Sequence, residues 1–434
     1  MRDIALILLI VGIIPFIMKY PWIGVIIFAW LSLFSPHRYA WGFAYDFPFV
    51  MVVAVTTLIS MLFHWKEVRL PINSITILLM LLPFWMTVTL LFALEPDAAH
   101  EKWKLVMKAF FFTLVAASLV RTRRQLEVFL WVIVLSIGFY GVKGGIFTLV
   151  GGGEDRVYGP PENYISDNNG ISVALVMTIP LMLYLGNTVS HKWIKYGMYA
   201  ASILSGVAVL GSHSRGAMLA VLAMLLFLWL KSQKKFIVGV ILVALVPAAI
   251  GFMPEKWTER MQTIETYEED PSAMGRLYTW HTLFNLANAR PLVGGGFEPY
   301  SERTLATYAP GPGEVHSAHS IYFQMLGEHG YVGLGLFLAL GIACWSIARR
   351  LIRASRDRPD LVWAGNLARA TQISLLGYAV GGAFVNITYW ELPYYEIIVL
   401  MAAWQLASGG VRESTHGAMS PKPTVVAPES FRQF

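Results

Sequence analysis

Three groups of residues in this 434-residue chain have side chains and spacings suited to chemistry. Arg215 stands in Gly211-Ser212-His213-Ser214-Arg215-Gly216, a short turn between apolar runs. The run that follows, to Leu230, holds about 15 residues and makes roughly 22 Å of helix, against a hydrocarbon core of about 30 Å. Arg215 therefore falls near the membrane–water boundary, where a permanently charged guanidinium is costly unless it faces a cavity or a partner. It reads either as a clamp for a phosphate anion or as an arginine reaching up to lipid headgroups. Arg276, in Met274-Gly275-Arg276-Leu277-Tyr278-Thr279-Trp280, falls in the expected first turn of a helix. A cation there gains nothing from the helix dipole. Beside the N–H groups of a helix start it suits a bound phosphate, and a salt bridge to Glu268-Glu269-Asp270 is the alternative. His316 and His319 lie three residues apart at the expected start of a long apolar helix, which would place them on one face. A helix N-terminus and a nearby arginine push an imidazole pKa down, so it stays neutral at pH 7 and can accept a proton. A hydroxyl nucleophile needs such a base. A two-histidine metal site completed by Glu314 or a distant acid is a rival reading, as is an interfacial histidine with no chemical role.

Smaller features would suit a ligand cavity. Gly294-Gly295-Gly296 follows Arg290-Pro291, and Gly295 would let a ligand approach the backbone closely. No strand precedes this triplet and no Gly-Lys-Ser follows it, so it is not a nucleotide loop. The segment 155–170 carries Arg156, Asn163, Asp167, Asn168 and Asn169, polar groups suited to sugar hydroxyls. A turn and helix cap at 168–170 explains them equally well. Glu328, in Glu328-His329-Gly330, lies about two turns beyond His319 in the same apolar run and is a further candidate for the cavity. Lys104 and Lys108 read as surface anchors of a helix.

These residues must be positioned by elements solvated by lipid. Hydrophobic residues make up 56% of the chain and charged residues 14%, against about 25% charged in soluble domains. The mean hydropathy of +0.56 agrees. This excludes an ordinary cytosolic enzyme, a disordered regulator and a disulfide scaffold. Cys344 is the single cysteine, so an intrachain disulfide and a cysteine-based metal site are both excluded. The net charge of +6 fits Lys and Arg in cytoplasmic loops better than a nucleic-acid partner, and none is expected. Arg2 and the apolar run 4–14 imitate a signal peptide, but no small-residue cleavage site follows, so the segment reads as retained.

Apolar runs at 4–18, 22–35, 47–63, 72–94, 105–120, 126–150, 170–186, 193–211, 217–230, 236–253, 320–348, 370–387 and 394–407 are candidate spans. The first two are short and adjacent, so the expectation is an all-α polytopic membrane protein with about 12 transmembrane helices. Its parts are N-terminal transmembrane helices (1–253), a large loop (254–316), C-terminal transmembrane helices (317–408) and a disordered cytoplasmic tail (409–434). The segments 121–124, 231–235 and 349–369 are basic and read as cytoplasmic, whereas 95–101 and 151–170 are acidic and read as outside. The large loop, with nine acids against five bases, falls on the outer side, the periplasm in a Gram-negative cell. It has helical pattern at 257–268 and 274–289, the second after the turn signal Asp270-Pro271-Ser272.

The run Arg276…Trp280, Pro291-Leu292-Val293-Gly294-Gly295-Gly296-Phe297 and His319-Ser320-Ile321-Tyr322…Leu326-Gly327-Glu328-His329-Gly330-Tyr331-Val332-Gly333 resembles the core of the O-antigen ligase and polymerase superfamily. The stretch Ser35-Pro36-His37-Arg38-Tyr39-Ala40-Trp41-Gly42-Phe43-Ala44-Tyr45-Asp46-Phe47-Pro48 looks like the branch of exosortase-A-associated O-glycosylation ligases. Together the resemblance covers nearly the whole chain up to about residue 410. It implies a C-type glycosyltransferase-like enzyme of the bacterial inner membrane. Such an enzyme moves a glycan from undecaprenyl diphosphate to an acceptor on the periplasmic face. The acceptor is lipid A–core oligosaccharide in O-antigen ligases, and a protein or another glycan chain is the alternative here. By the same resemblance Arg215 and Arg276 hold the donor diphosphate and His319 is the base. Ser320 stands where the family often has asparagine.

The mechanism expected on both grounds is a single inverting displacement with no nucleotide or other cofactor and, since no Asp-x-Asp pair flanks the loop, no metal. Arg156, Asn168, Gly295, His316 and Glu328 are possible substrate contacts. A polymerase is the nearer rival. A lipid-glycan transporter is the more distant one, since the charged groups gather at one face and the chain shows no repeated halves.

Overall fold

The computed structural model describes residues 2–417, apart from 232–233, 237–238, 241–243, 245–250, 263–267, 269 and 315. Within these residues the regular structure is helical throughout. The N-terminal helices are α1 (Arg2–Lys19), α2 (Pro21–Phe34), α3 (Phe49–Phe63), α4 (Ser74–Leu90) and α5 (Pro96–Leu119). The central ones are α6 (Arg123–Val150), α7 (Asn168–Thr188), α8 (Lys192–Gly211) and α9 (Arg215–Lys231). The large loop carries α10 (Glu255–Gln262), α11 (Pro271–Ala289) and α12 (Glu302–Tyr308). The chain then continues as α13 (Ile321–Ala354), α14 (Val362–Gly381) and α15 (Glu391–Gly417).

The expected count of about 12 spans is corrected, and with it the C-type description. Among the described residues four helices are long and apolar enough to cross a membrane: α6, α7, α8 and α13. They make the chain a multi-pass membrane protein. The physical reason is that many apolar runs in the sequence do not become long helices. With 14, 15, 17 and 17 residues, α2, α3, α4 and α9 reach only about 21–26 Å at 1.5 Å per residue. Positive φ at Ser35 stops α2, and Pro48 stands at the start of α3. The run 72–94 breaks after Leu90 because the chain turns and the Leu94 N–H donates to the Gly295 carbonyl at 2.8 Å. Other helices have the length but are too polar. Asp97, Glu101, Lys102, Lys104 and Lys108 all lie on α5, Asn366, Arg369 and Gln372 on α14, and Glu391 and Glu396 on α15. Most of the expected span at 236–253, and the tail from residue 418, fall outside the described residues.

Local chemistry explains where the remaining elements begin. Thr122 and Gln125 form a capping box at the start of α6. Asp167 caps α7, Asp270 with Pro271 behind it caps α11, and Ser320 caps α13. The buried core is continuous and aliphatic along α6, α7 and α14, with Tyr389, Trp390 and Tyr395 as its largest fully buried side chains. One end of this core gathers the starts of α7, α9 and α13 and the close of α14. Asn168 Nδ2 donates to the Ser212 carbonyl at 2.8 Å, and the Tyr322 hydroxyl donates to the Ala379 carbonyl at 2.7 Å.

Candidate functional site

The loop helix α11 is fixed to the start of α9 by one carboxylate. Asp270 accepts the N–H groups of Ser272 at 2.8 Å and Ala273 at 3.3 Å, and its other oxygen meets the Arg215 guanidinium at 2.5 Å. Both side chains are largely buried, 12% and 9% exposed. Burial pushes the Asp270 carboxyl up, but the Ser272 N–H and Arg215 outweigh it and hold the group below the ordinary carboxylate value. Asp270 of the Glu268-Glu269-Asp270 run is thus engaged by Arg215. Because α11 begins at Pro271, three residues before its expected start, Arg276 lies in the second turn. The first-turn N–H groups of Ser272 and Ala273 belong to Asp270.

Arg215 and Arg276 meet at one cleft. With Gly216, Leu219, Leu277, Trp280 and Phe384 they line a space of about 220 Å³ whose remaining lining is largely apolar. His319 stands next to it, half-buried, directly ahead of the cap residue Ser320. Burial first, and then the neighbouring Arg276, hold its pKa below the ordinary histidine value, while Asp167 pulls it the other way. The imidazole is thus neutral at pH 7 and open to a proton. Its backbone is left-handed, φ 43°, an uncommon conformation for a non-glycine residue and one that marks a constrained position.

His316 does not share a helix face with His319, because both precede α13. It is exposed, with Nε2 3.8 Å from Glu314, in an open groove with Tyr278 and Gly313. The segment 155–170 is pinned beneath the arginine turn. Val157 N–H donates to the Gly211 carbonyl at 3.0 Å, and the Ser214 hydroxyl donates to Asn169 Oδ1 at 2.8 Å. Asn168 is buried with its amide committed to Ser212, and Arg156 is exposed on the same segment.

Gly295 and Glu328 belong to a different assembly. Residues 291–296 pair with the end of a helical turn in α13 through Gly295 N–H to Gly327 O (2.8 Å), Gly296 N–H to Glu328 O (2.9 Å) and Tyr331 N–H to Pro291 O (2.8 Å). The pairing requires α13 to break at Gly330, φ 67° and ψ −170°. A Cβ there would stand 2.4 Å from the Leu292 carbonyl oxygen, and one at Gly294 2.5 Å from that of Gly327. Glu328 is fully buried and accepts from the hydroxyls of Tyr389 at 2.5 Å and Tyr300 at 3.2 Å and from Gln324 at 3.1 Å. His329 bridges Thr89 and Tyr389 at 2.7 and 2.8 Å. These contacts join α4, the large loop, α13 and the start of α15.

Sequence reasoning missed Asp270 as the partner of Arg215, Asp167 as the acid facing His319, and the tyrosines around Glu328. The Asp-Pro dipeptide was the one available signal, since it marks a capped helix start as well as a turn. Among the described residues no group of three His, Cys, Asp or Glu is gathered closely enough to hold a metal.

Residues 200–338 match a family described as O-antigen ligase, and residues 1–190 match a family of unknown function, DUF5935. No curated protein matches the chain. The matched segment 200–338 contains Arg215, Arg276, His319 and Glu328.

Proposed function

We propose that this O-antigen ligase domain transfers a glycan from undecaprenyl diphosphate to an acceptor hydroxyl, such as one on lipid A–core oligosaccharide, at the periplasmic face of the bacterial inner membrane. The observation that carries the reading is the meeting of two arginines at one largely apolar cleft, with His319 close enough to Arg276 for that charge to hold its pKa down. His319 takes the proton of the acceptor hydroxyl as its oxygen attacks the anomeric carbon. The bond from that carbon to the diphosphate oxygen breaks with its electron pair, and Arg215 and Arg276 stabilise the charge that develops on the leaving group. One displacement without an enzyme nucleophile inverts the anomeric centre. Leu219, Leu277 and Phe384 in the lining offer apolar contact to the first part of the donor lipid. The stretch 35–48 supports assignment to the exosortase-A-associated O-glycosylation ligase branch.

The test is reconstitution. Purified protein is incubated in chelator, without nucleotide, with undecaprenyl-diphosphate-linked glycan and lipid A–core. Glycan joined to lipid A–core, with free undecaprenyl diphosphate released, is the expected outcome. Glycan extended on itself would make the enzyme a polymerase, and no release of diphosphate would reject transfer.

A further inference from the structure

Trp280 lies one helical turn after Arg276 on α11 and reaches across to the histidine segment. Its indole N–H donates to the Ala318 carbonyl at 2.6 Å, so the residue immediately before His319 is held by the helix that carries the arginine. Its ring lies parallel to Phe323 in the first turn of α13, with centroids 4.9 Å apart and planes 7° apart. On another side it meets Phe384, just beyond α14, at 6.2 Å. Two chain segments, 318–323 and that of Phe384, therefore converge on one side chain, and the left-handed His319 backbone lies within the first. Such a conformation persists only where its surroundings over-determine it.

We infer that Trp280 is a positioning residue, a strut that fixes the distance between the histidine and the arginine cleft. The inference rests on the reading of His319 as base, but its direct consequence does not. A hydrogen bond through the indole N–H and a stack through the ring can be removed separately, and each removal should let the 318–320 segment relax. Relaxation moves the imidazole away from Arg276 and toward solvent. The titratable and charged groups around it are Arg276, His316 and Asp167, so both the burial and the Arg276 repulsion that keep it neutral should weaken. Its pKa should then rise toward the ordinary histidine value. A residue that served only to stabilise the fold would leave that value where it is.

The experiment uses full-length protein in detergent with 13C-labelled histidine rings, His319 being assigned by the signal lost in His319→Ala. Trp280→Phe keeps the ring and loses the N–H, whereas Phe323→Leu keeps the N–H and loses the stack. Both should raise the titration midpoint of His319. In the reconstituted assay Trp280→Phe should also lower kcat about tenfold with little change in donor KM. An unmoved His319 midpoint in Trp280→Phe would overturn the inference. If that variant does not accumulate, an unmoved midpoint in Phe323→Leu overturns it. Full turnover of His319→Ala would instead reject the base and leave the strut to be judged by the titration.

Discussion

At the scale of single residues the chemistry rests on charge states that the fold sets locally. His319 accepts a proton only when neutral, and its lowered pKa extends that range to the acid side of 6.5. Turnover should therefore be full at neutral pH and fall only as pH drops through the depressed value, which a kcat–pH profile measures. His319→Ala should lose about 10²–10⁴-fold in turnover, the usual contribution of a general base, while donor still binds. His316→Ala should be milder, because His316 faces an open groove beside Glu314. Single-turnover rates of the two variants decide between them. Arg276→Lys should recover only part of the activity lost in Arg276→Ala, since an ammonium lacks the forked geometry that grips a phosphate.

Asp270 makes a different kind of prediction. Its folded pKa is depressed, so its contribution to stability is present above the unfolded carboxylate pKa and is lost as pH falls through the folded one. Asp270→Ala removes a helix cap worth about 1 kcal/mol. It also takes a carboxylate from Arg215, so the Tm should drop, and the drop should shrink at acid pH where the wild-type carboxylate is itself protonated.

At the scale of elements, much was legible in the sequence because caps and breakers are local. The turn signal Asp270-Pro271-Ser272 placed a helix within three residues of the start of α11, and the apolar run from 126 placed α6 within three residues of its start at Arg123. The number of long spans was not legible. Apolar runs show that a segment avoids water, but not whether it stays helical for about 20 residues or turns to meet a loop. Leu94 turns because Gly295, some two hundred positions away, needs its N–H. The same distance effect hid the role of Glu328, whose partners Tyr300 and Tyr389 lie on other elements. A cap was legible at 168–170, but not Asp167 as the capping residue or as the acid acting on His319. The break in α13 gives the sharpest element-level prediction. Gly330→Ala places a Cβ against the Leu292 carbonyl at positive φ, and should cost about 1–3 kcal/mol or more in stability. Thermal unfolding should show the loss, and transfer activity should fall with it, because residues 291–297 and the loop helices would no longer be clasped to α13.

At the scale of the whole molecule, the candidate site and the arginine-rich segment 349–369 sit at opposite ends of the same helices. The candidate site forms where α7, α9 and α13 begin, and it includes Asp167, Arg215 and His319. Those helices end toward Lys231 and the arginine-rich segment 349–369. Loop charge orients membrane helices, with Lys and Arg retained on the cytoplasmic side. If that rule governs this chain, the 349–369 segment is inside and the large loop, with the cleft beneath it, is outside, where a lipid-linked glycan is presented after crossing the membrane. Single cysteines test the arrangement directly. Cys344 is fully buried and can be replaced by alanine to give a silent background. In that background Glu302→Cys, on an exposed position of α12, should react with an impermeant thiol reagent added to cells whose outer membrane has been permeabilised. Arg356→Cys should react only after the inner membrane is broken. Labelling of the second site in intact spheroplasts, with the first protected, would put the arginine cleft on the cytoplasmic side. An acceptor assembled in the periplasm could not then reach His319.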